Sequence, residues 1–137
     1  MDDPDVKVFE DIESNVFCIT FLKDKGIAQV RDVIMAVQGE VLNAHSWDSL
    51  YDLSLVRSPV TMEAATMVTD AWAEIAKGRD VGRRTAIVST DPNFPRLLED
   101  IQAAVPHRAL GVFATCEEAL EWLRAIHIDT RGDIQLI

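Results

Sequence analysis

The chain has 137 residues, 23 of them acidic and 13 basic, for a formal net charge of −10 at pH 7. With 48% hydrophobic and 26% charged residues it has the composition of an ordinary globular protein, and its length fits one domain that needs no disulfide or metal staple to fold. The acidic balance argues against a nucleic-acid backbone or an anionic membrane surface as partner, because each phosphate contact asks for a Lys or Arg.

Residues 6–10 and 16–23 read as two strands joined by the polar stretch Asp11–Asn15. The second, Val16 to Leu22, is apolar on both faces, as a strand covered on both sides requires. Ile27, Val30, Ile34 and Val37 recur at spacings of three and four and predict a helix, with Gly39 as its stop. Ser49 to Leu55 is a short strand. Ser58-Pro59 opens the next helix, capped by Ser58 or Thr61 with Glu63 in its first turn; Ala65, Val68, Trp72 and Ile75 form its buried stripe and Gly78 ends it. Arg84 to Ser89 is a strand, and Asp91-Pro92-Asn93 caps a helix whose apolar face is Phe94, Leu97, Leu98, Ile101 and Ala104. Arg108 to Ala114 is the last strand. Thr115-Cys116-Glu117-Glu118 is a capping box in which Thr and Glu satisfy each other's backbone donors, and its helix carries Ala119, Leu120, Leu123 and Ile126 inward.

Two strands followed by alternating helix and strand predict an α/β fold. The sheet is mixed but mostly parallel, with right-handed crossovers, helices on both faces and an antiparallel opening pair. No repeat, linker or low-complexity segment divides the chain, so residues 1–137 form one domain with 128–137 as a C-terminal tail. In that tail Asp129 to Asp133 is turn-like and Ile134 to Ile137 alternates like a strand, so it is expected to dock on its own sheet or on a second subunit. The edge strand, residues 6–10, and this tail together suggest a homodimer. Arg131-Gly132-Asp133 matches an adhesion tripeptide but carries little weight, because three-residue matches arise by chance.

The acidic start Met1-Asp2-Asp3-Pro4-Asp5 is unlike a secretory n-region, and no apolar run approaches the roughly 20 residues of a bilayer-spanning helix. A cytoplasmic location without membrane insertion is therefore expected. Cys18 and Cys116 form no Cys-x-x-Cys pair. The six glycines make no phosphate loop, and His45, His107 and His127 fall in three regions with no metal-ligand spacing, so no cofactor and no metal are expected. There is no Gly-x-Ser-x-Gly elbow. Cys116 alone has a physical case for nucleophilic chemistry, since a helix start lowers a thiol's pKa; a small residue packed in a first turn needs no such role, and a non-catalytic protein is the expectation.

In an open parallel sheet, ligands and partners meet the loops beyond the carboxyl ends of the strands. Here these supply Ser54, Arg57, Ser58 and Thr61, then Thr90 and Asp91, then Thr115. Most of these residue types also cap helices for structural reasons alone; Arg57 does not. Lys77, Arg79, Arg83 and Arg84 form a locally basic turn, of the kind that is normally solvated. Residues 1–52 carry 11 acidic and 4 basic residues, against 12 and 9 in residues 53–137, so a local anion site near Arg57 and Arg84 stays open despite the overall charge.

From Asp52 onward the chain resembles the STAS-like domains, in particular the SpoIIAA-like group of small stand-alone bacterial proteins. The resemblance rests on the strand end Tyr51-Asp52-Leu53-Ser54, the tryptophan-bearing helix from Thr61 to Ala76, and the strand from Arg84 to Val88. It continues through the helix from Phe94 to Ala104 and ends in Val112-Phe113-Ala114-Thr115 with Glu118-Ala119-Leu120-Glu121-Trp122-Leu123. It implies a non-catalytic role in protein–protein regulation or small-ligand sensing, with an unidentified protein partner. STAS anti-anti-sigma factors carry Asp-Ser-Ser-Gly where this chain has Val60-Thr61-Met62-Glu63, so only Thr61 keeps a hydroxyl as a possible phosphoacceptor. The group also resembles the Sec14 (CRAL-TRIO) lipid-binding fold. That likeness implies, as the alternative, a carrier or sensor of a small apolar ligand held near Trp72 or Trp122.

Overall fold

The computed structural model describes residues 5–11, 16–24, 26–40, 47–57, 61–76, 82–105 and 107–124. The strands are β1 (Val6–Asp11), β2 (Val16–Phe21), β3 (Asp48–Asp52), β4 (Arg83–Val88) and β5 (Arg108–Phe113). The helices are α1 (Ile27–Glu40), α2 (Met62–Ala76), α3 (Asn93–Ala104) and α4 (116–124). One five-stranded sheet runs in the order β1-β2-β3-β4-β5. β1 pairs antiparallel with β2, and the remaining pairs are parallel. The mixed, mostly parallel α/β sheet expected from the sequence is thus the observed one.

Strands laid down in simple spatial order dictate where the helices go. Each parallel crossover advances the sheet in the same direction, and right-handed crossovers then place every connecting helix on the same face. Val30, Val33, Ile34 and Val37 of α1 and Phe94 and Ile101 of α3 accordingly share one core with Phe17, Ile19, Phe21, Tyr51, Ile87 and Leu110. From α2, Met62, Ala65 and Val68 pack against it. The helix after β5 is free of that constraint. α4 covers the opposite face, where Ala119 and Leu123 join Val16, Leu50, Ala86 and Val88. Alternation along β2 explains why it is apolar throughout: Phe17, Ile19 and Phe21 look to three helices, while Val16 and Cys18 look to the α4 side.

Several boundaries differ from the sequence expectation, each for a local reason. α1 runs through Gly39 to Glu40; at its start Gln29 Oε1 accepts the Gly26 N–H at 3.2 Å, half of a capping box. β2 stops at Phe21, leaving Leu22 exposed. In α3 the cap residue is Pro92, which has no side-chain group to offer; Asp91 does that work instead, its Oδ1 accepting the Asn93 N–H at 2.9 Å. Ala104, assigned to the buried stripe of α3, is exposed, and the inward positions there are Phe94, Ile101 and, partly, Leu97 and Leu98. In the α4 box Thr115 Oγ1 accepts the Glu118 N–H at 3.2 Å, but the Glu118 carboxylate accepts from the Thr115 hydroxyl at 3.1 Å rather than from a backbone donor. Ser58, Gly78, Ile126, His45, His127 and the 128–137 tail lie outside the described residues, as do the side chains of Trp72 and Ile75. Among the described residues no helix is long and apolar enough to cross a membrane.

A close approach on the α4 face explains one glycine. The rings of Phe113 and Trp122 lie 5.3 Å apart, and a Cβ on Gly111 would stand 2.8 Å from the Phe113 ring and 3.2 Å from the Trp122 ring. Gly111→Ala must therefore displace an aromatic pair that closes the smaller core. Overpacking of this kind costs about 1–3 kcal/mol, partly offset by the reduced freedom of the unfolded chain. Urea unfolding of G111A should show a net loss of about 1–2 kcal/mol; an unchanged midpoint would contradict the packing described.

Candidate functional site

The carboxyl ends of β3, β4 and β5 lie level. The Leu53 N–H donates to Val88 O at 2.9 Å and the Ser89 N–H to Phe113 O at 2.9 Å, carrying the ladder one residue past each strand. What stops β3 is its last residue. Asp52 Oδ1 accepts the Ser54 N–H at 3.0 Å and the Ser54 hydroxyl at 2.6 Å, an Asx turn that pulls the chain off the sheet. The strand expected to reach Leu55 therefore ends at Asp52, and Leu55 is 48% exposed in the turn beyond. The other carboxylate oxygen, Asp52 Oδ2, accepts the Cys116 thiol at 3.2 Å. One side chain thus joins the β3 turn to the first turn of α4.

The neighbouring loops are organised in the same way. Ser89 Oγ accepts the Asp91 N–H at 3.1 Å, which starts the turn that Asp91 completes into α3. Thr90 stands exposed between them. On the far side the Arg57 N–H donates to Asp24 Oδ1 at 2.6 Å, tying the β3–α2 loop to the loop after β2. Thr61 sits at the start of α2, its carbonyl accepting the Ala65 N–H at 3.0 Å, and it is exposed. Of the residues proposed from the sequence, Ser54 and Thr115 flank the Asp52–Cys116 contact, Thr90 and Asp91 occupy the adjoining strand end, and Arg57 and Thr61 belong to the loop leading into α2. Ser58 is outside the described residues. Arg57 and Arg84, considered together as an anion site, are at opposite ends of the sheet: Arg57 follows the carboxyl end of β3, whereas Arg84 begins β4.

The chemistry of Cys116 differs from what a helix start alone would give. Partial burial, then the hydrogen bond to Asp52 and the charges of Asp52 and Cys18, push its thiol pKa up to about 11. The first-turn dipole would lower it; desolvation and a facing carboxylate outweigh that pull. At neutral pH the group is a protonated donor that braces Asp52, not a thiolate nucleophile. Asp52 accepts three donors, and no group of three or more His, Cys, Asp or Glu side chains suited to a metal occurs among the described residues. The missed elements are Asp52 and Asp24 as anchors. An aspartate two residues before a serine at a strand end is the spacing of an Asx turn, so the Asp52 turn was open to detection. The Asp24–Arg57 link, 33 positions apart, carries no local signal.

No family model and no curated protein match the chain. Among solved structures it is similar to that of an uncharacterized protein of the DUF3478 family with a SpoIIAA-like fold, from Shewanella loihica PV-4. The TM-score is 0.54 at 13% sequence identity, over 86% of this chain and 91% of that one. The fold is SpoIIAA-like. At that identity the likeness is one of architecture, and it agrees with the resemblance read from the strand ends and the Glu118–Leu123 segment.

Because folding raises the thiol pKa, the folded chain holds this proton more tightly than the unfolded one. The resulting stabilisation is intact below the ordinary thiol pKa and is lost as pH climbs through about 11. In a Cys18→Ser background, iodoacetamide should modify Cys116 at pH 7.5 on the order of a hundredfold more slowly than a free cysteine, with the rate rising only toward pH 11. Asp52→Asn removes the facing charge and should move that profile to lower pH. A rate equal to that of free cysteine would contradict the arrangement.

Proposed function

We propose that the chain is a non-catalytic regulatory module of SpoIIAA/STAS-like type, and that it binds another protein through the carboxyl-end face of its sheet. The observation that carries the reading is the position of Thr61. It is an exposed threonine at the N-terminal end of α2, following the stretch up to Arg57 that Asp52 and Asp24 anchor. A phosphate added there would lie against the free backbone N–H groups of the helix start, where negative charge is favoured. Ser54, Thr90, Asp91 and Thr115 supply the surrounding polar rim, and the carboxylate at its centre is already committed to local donors. Thr61 would act as a phosphoacceptor whose added charge changes the contact surface without unfolding it.

The carrier of a small apolar ligand draws no support from Trp122. That ring is packed on Phe113 and Gly111 and completes the α4-side core.

Thr61→Asp separates charge from folding, since Asp is as good a helix cap as Thr and adds the negative charge that phosphorylation brings. Its unfolding midpoint should match or exceed wild type. Affinity purification from the native host with wild type, Thr61→Ser and Thr61→Asp as baits should recover a protein with the first two and lose it at least tenfold with the third. Equal recovery by Thr61→Asp, or no protein specific to the wild-type bait, would count against the proposal.

A further inference from the structure

β1 is an edge strand: the sheet order places it outermost, and among the described residues no strand lies beyond it. Its pairing with β2 decides which backbone groups are already used. The Leu22 N–H donates to Asp5 O at 2.8 Å, so position 5 and its alternates Lys7, Phe9 and Asp11 are the residues that exchange hydrogen bonds with β2. The residues between them, Val8 and Glu10, direct their N–H and C=O groups away from β2, toward the outer edge. Side chains along this edge are uncovered as well. Lys7, Val8, Phe9 and Glu10 are all exposed, Phe9 at 59%. Phe9 stands opposite Cys18, on the face that α4 covers, yet the core beneath α4 reaches only to Val16 and Cys18 of β2 and takes in no described residue of β1.

An edge strand with an exposed aromatic is a template for another strand, and a lysine on it is a common guard against pairing. Whatever pairs with β1 must therefore satisfy Lys7. A second copy of β1 does so in one register. Two copies related by a two-fold axis perpendicular to the sheet run antiparallel, and residues of the same face meet, so the axis passes at the level of a single position. Centred on Lys7 or Glu10, that residue meets its own charge; centred on Val8, Asp5 is set against Asp11. Like charges directly opposite are destabilising. Centred on Val6 or Asp11, the strands overlap at one end only. Centred on Phe9, Lys7 of each copy is set against Asp11 of the other, Val8 against Glu10, and Phe9 against Phe9. The backbone agrees: Val8 and Glu10 have the outward groups to exchange, and Phe9 falls at a non-hydrogen-bonded pair, where facing side chains come closest.

We propose that the chain forms a homodimer by antiparallel pairing of β1 with β1 of a second copy, centred on Phe9, which joins the two sheets into one. The Lys7–Asp11 pairs, made twice by symmetry, fix the register, and the Phe9 pair covers apolar surface that α4 leaves open. So short a ladder makes the dimer weak and concentration-dependent. It lies at the sheet edge, apart from the strand-end face proposed for another protein, and neither contact depends on the other.

The test is sedimentation velocity on the full chain at physiological salt, over a roughly hundredfold range of concentration. Wild type should pass from monomer to dimer as concentration rises. Lys7→Asp and Phe9→Ala should each weaken the dimer at least tenfold. Lys7→Asp combined with Asp11→Lys exchanges the two charges at constant net charge and should restore the dimer to within about threefold of wild type. Phe9→Cys should oxidise to a covalent dimer, since a non-hydrogen-bonded pair brings Cα atoms to about 4.5 Å, within disulfide reach; Val8→Cys, set against Glu10, should not. A monomer at every concentration would overturn the proposal, and protection of the Val8 and Glu10 amides from exchange in that monomer would assign the edge to another segment of the same chain. A dimer that survives Lys7→Asp, or that the exchanged charges fail to restore, would overturn the β1 pairing.

Discussion

The Asp52 carboxylate is the constraint on which the carboxyl end of this molecule depends. Its two oxygens take three donors: the backbone and hydroxyl of Ser54, two positions on, and the thiol of Cys116, 64 positions on. The first two terminate β3 and turn the chain off the sheet at Ser54. The third holds the first turn of α4 over the same strand end. A carboxylate so occupied has little capacity left for a ligand, and the thiol that donates to it stays protonated. The face is therefore a shaped, hydroxyl-bearing surface, the kind that the proposed regulatory contact would use.

The opposite end of the sheet is organised around cations. Arg108, Thr85 and Ser49 form a buried polar brace across β5, β4 and β3, and Gln102 clamps α3 to the start of β5. Burial of a guanidinium is tolerable only where its donors are met, and here Nη1 donates to both Trp47 O and Thr85 Oγ1. The net charge of −10 conceals this division. The acidic excess falls mostly in residues 1–52, whereas Arg83, Arg84 and Arg108 all begin strands in the second half. One SpoIIAA-like sheet thus presents a polar face at one end and is braced by a buried arginine at the other.

Periodicity made most of this fold legible. The alternation of β2, the three-four spacing of α1 and the Phe94–Ile101 stripe of α3 each name a face, and simple strand order then decides which helices share it. Boundaries were less legible where a side chain, not a pattern, sets them. Leu55 continues an apolar alternation, yet the Asx turn at Asp52 has already left the sheet. Gly39 reads as a stop, yet α1 continues one residue past it. Contacts between distant segments left no trace in the pattern, and the Asp52–Cys116 pair and the Arg108–Trp47 bond are of that kind. The candidate surface was located because the topology of a parallel sheet fixes where loops gather; its anchor was not, because anchoring is a property of tertiary neighbours.

The most direct test of Asp52 as the organising group is amide hydrogen exchange, residue by residue, on Asp52→Ala against wild type. Loss of the carboxylate should speed exchange at Ser54 and in the first turn of α4 by roughly tenfold or more, while the Ile87 and Leu110 amides in the sheet interior keep their rates. Unchanged exchange at Ser54 and around Cys116, or a uniform acceleration across the whole sheet, would contradict the role assigned to Asp52.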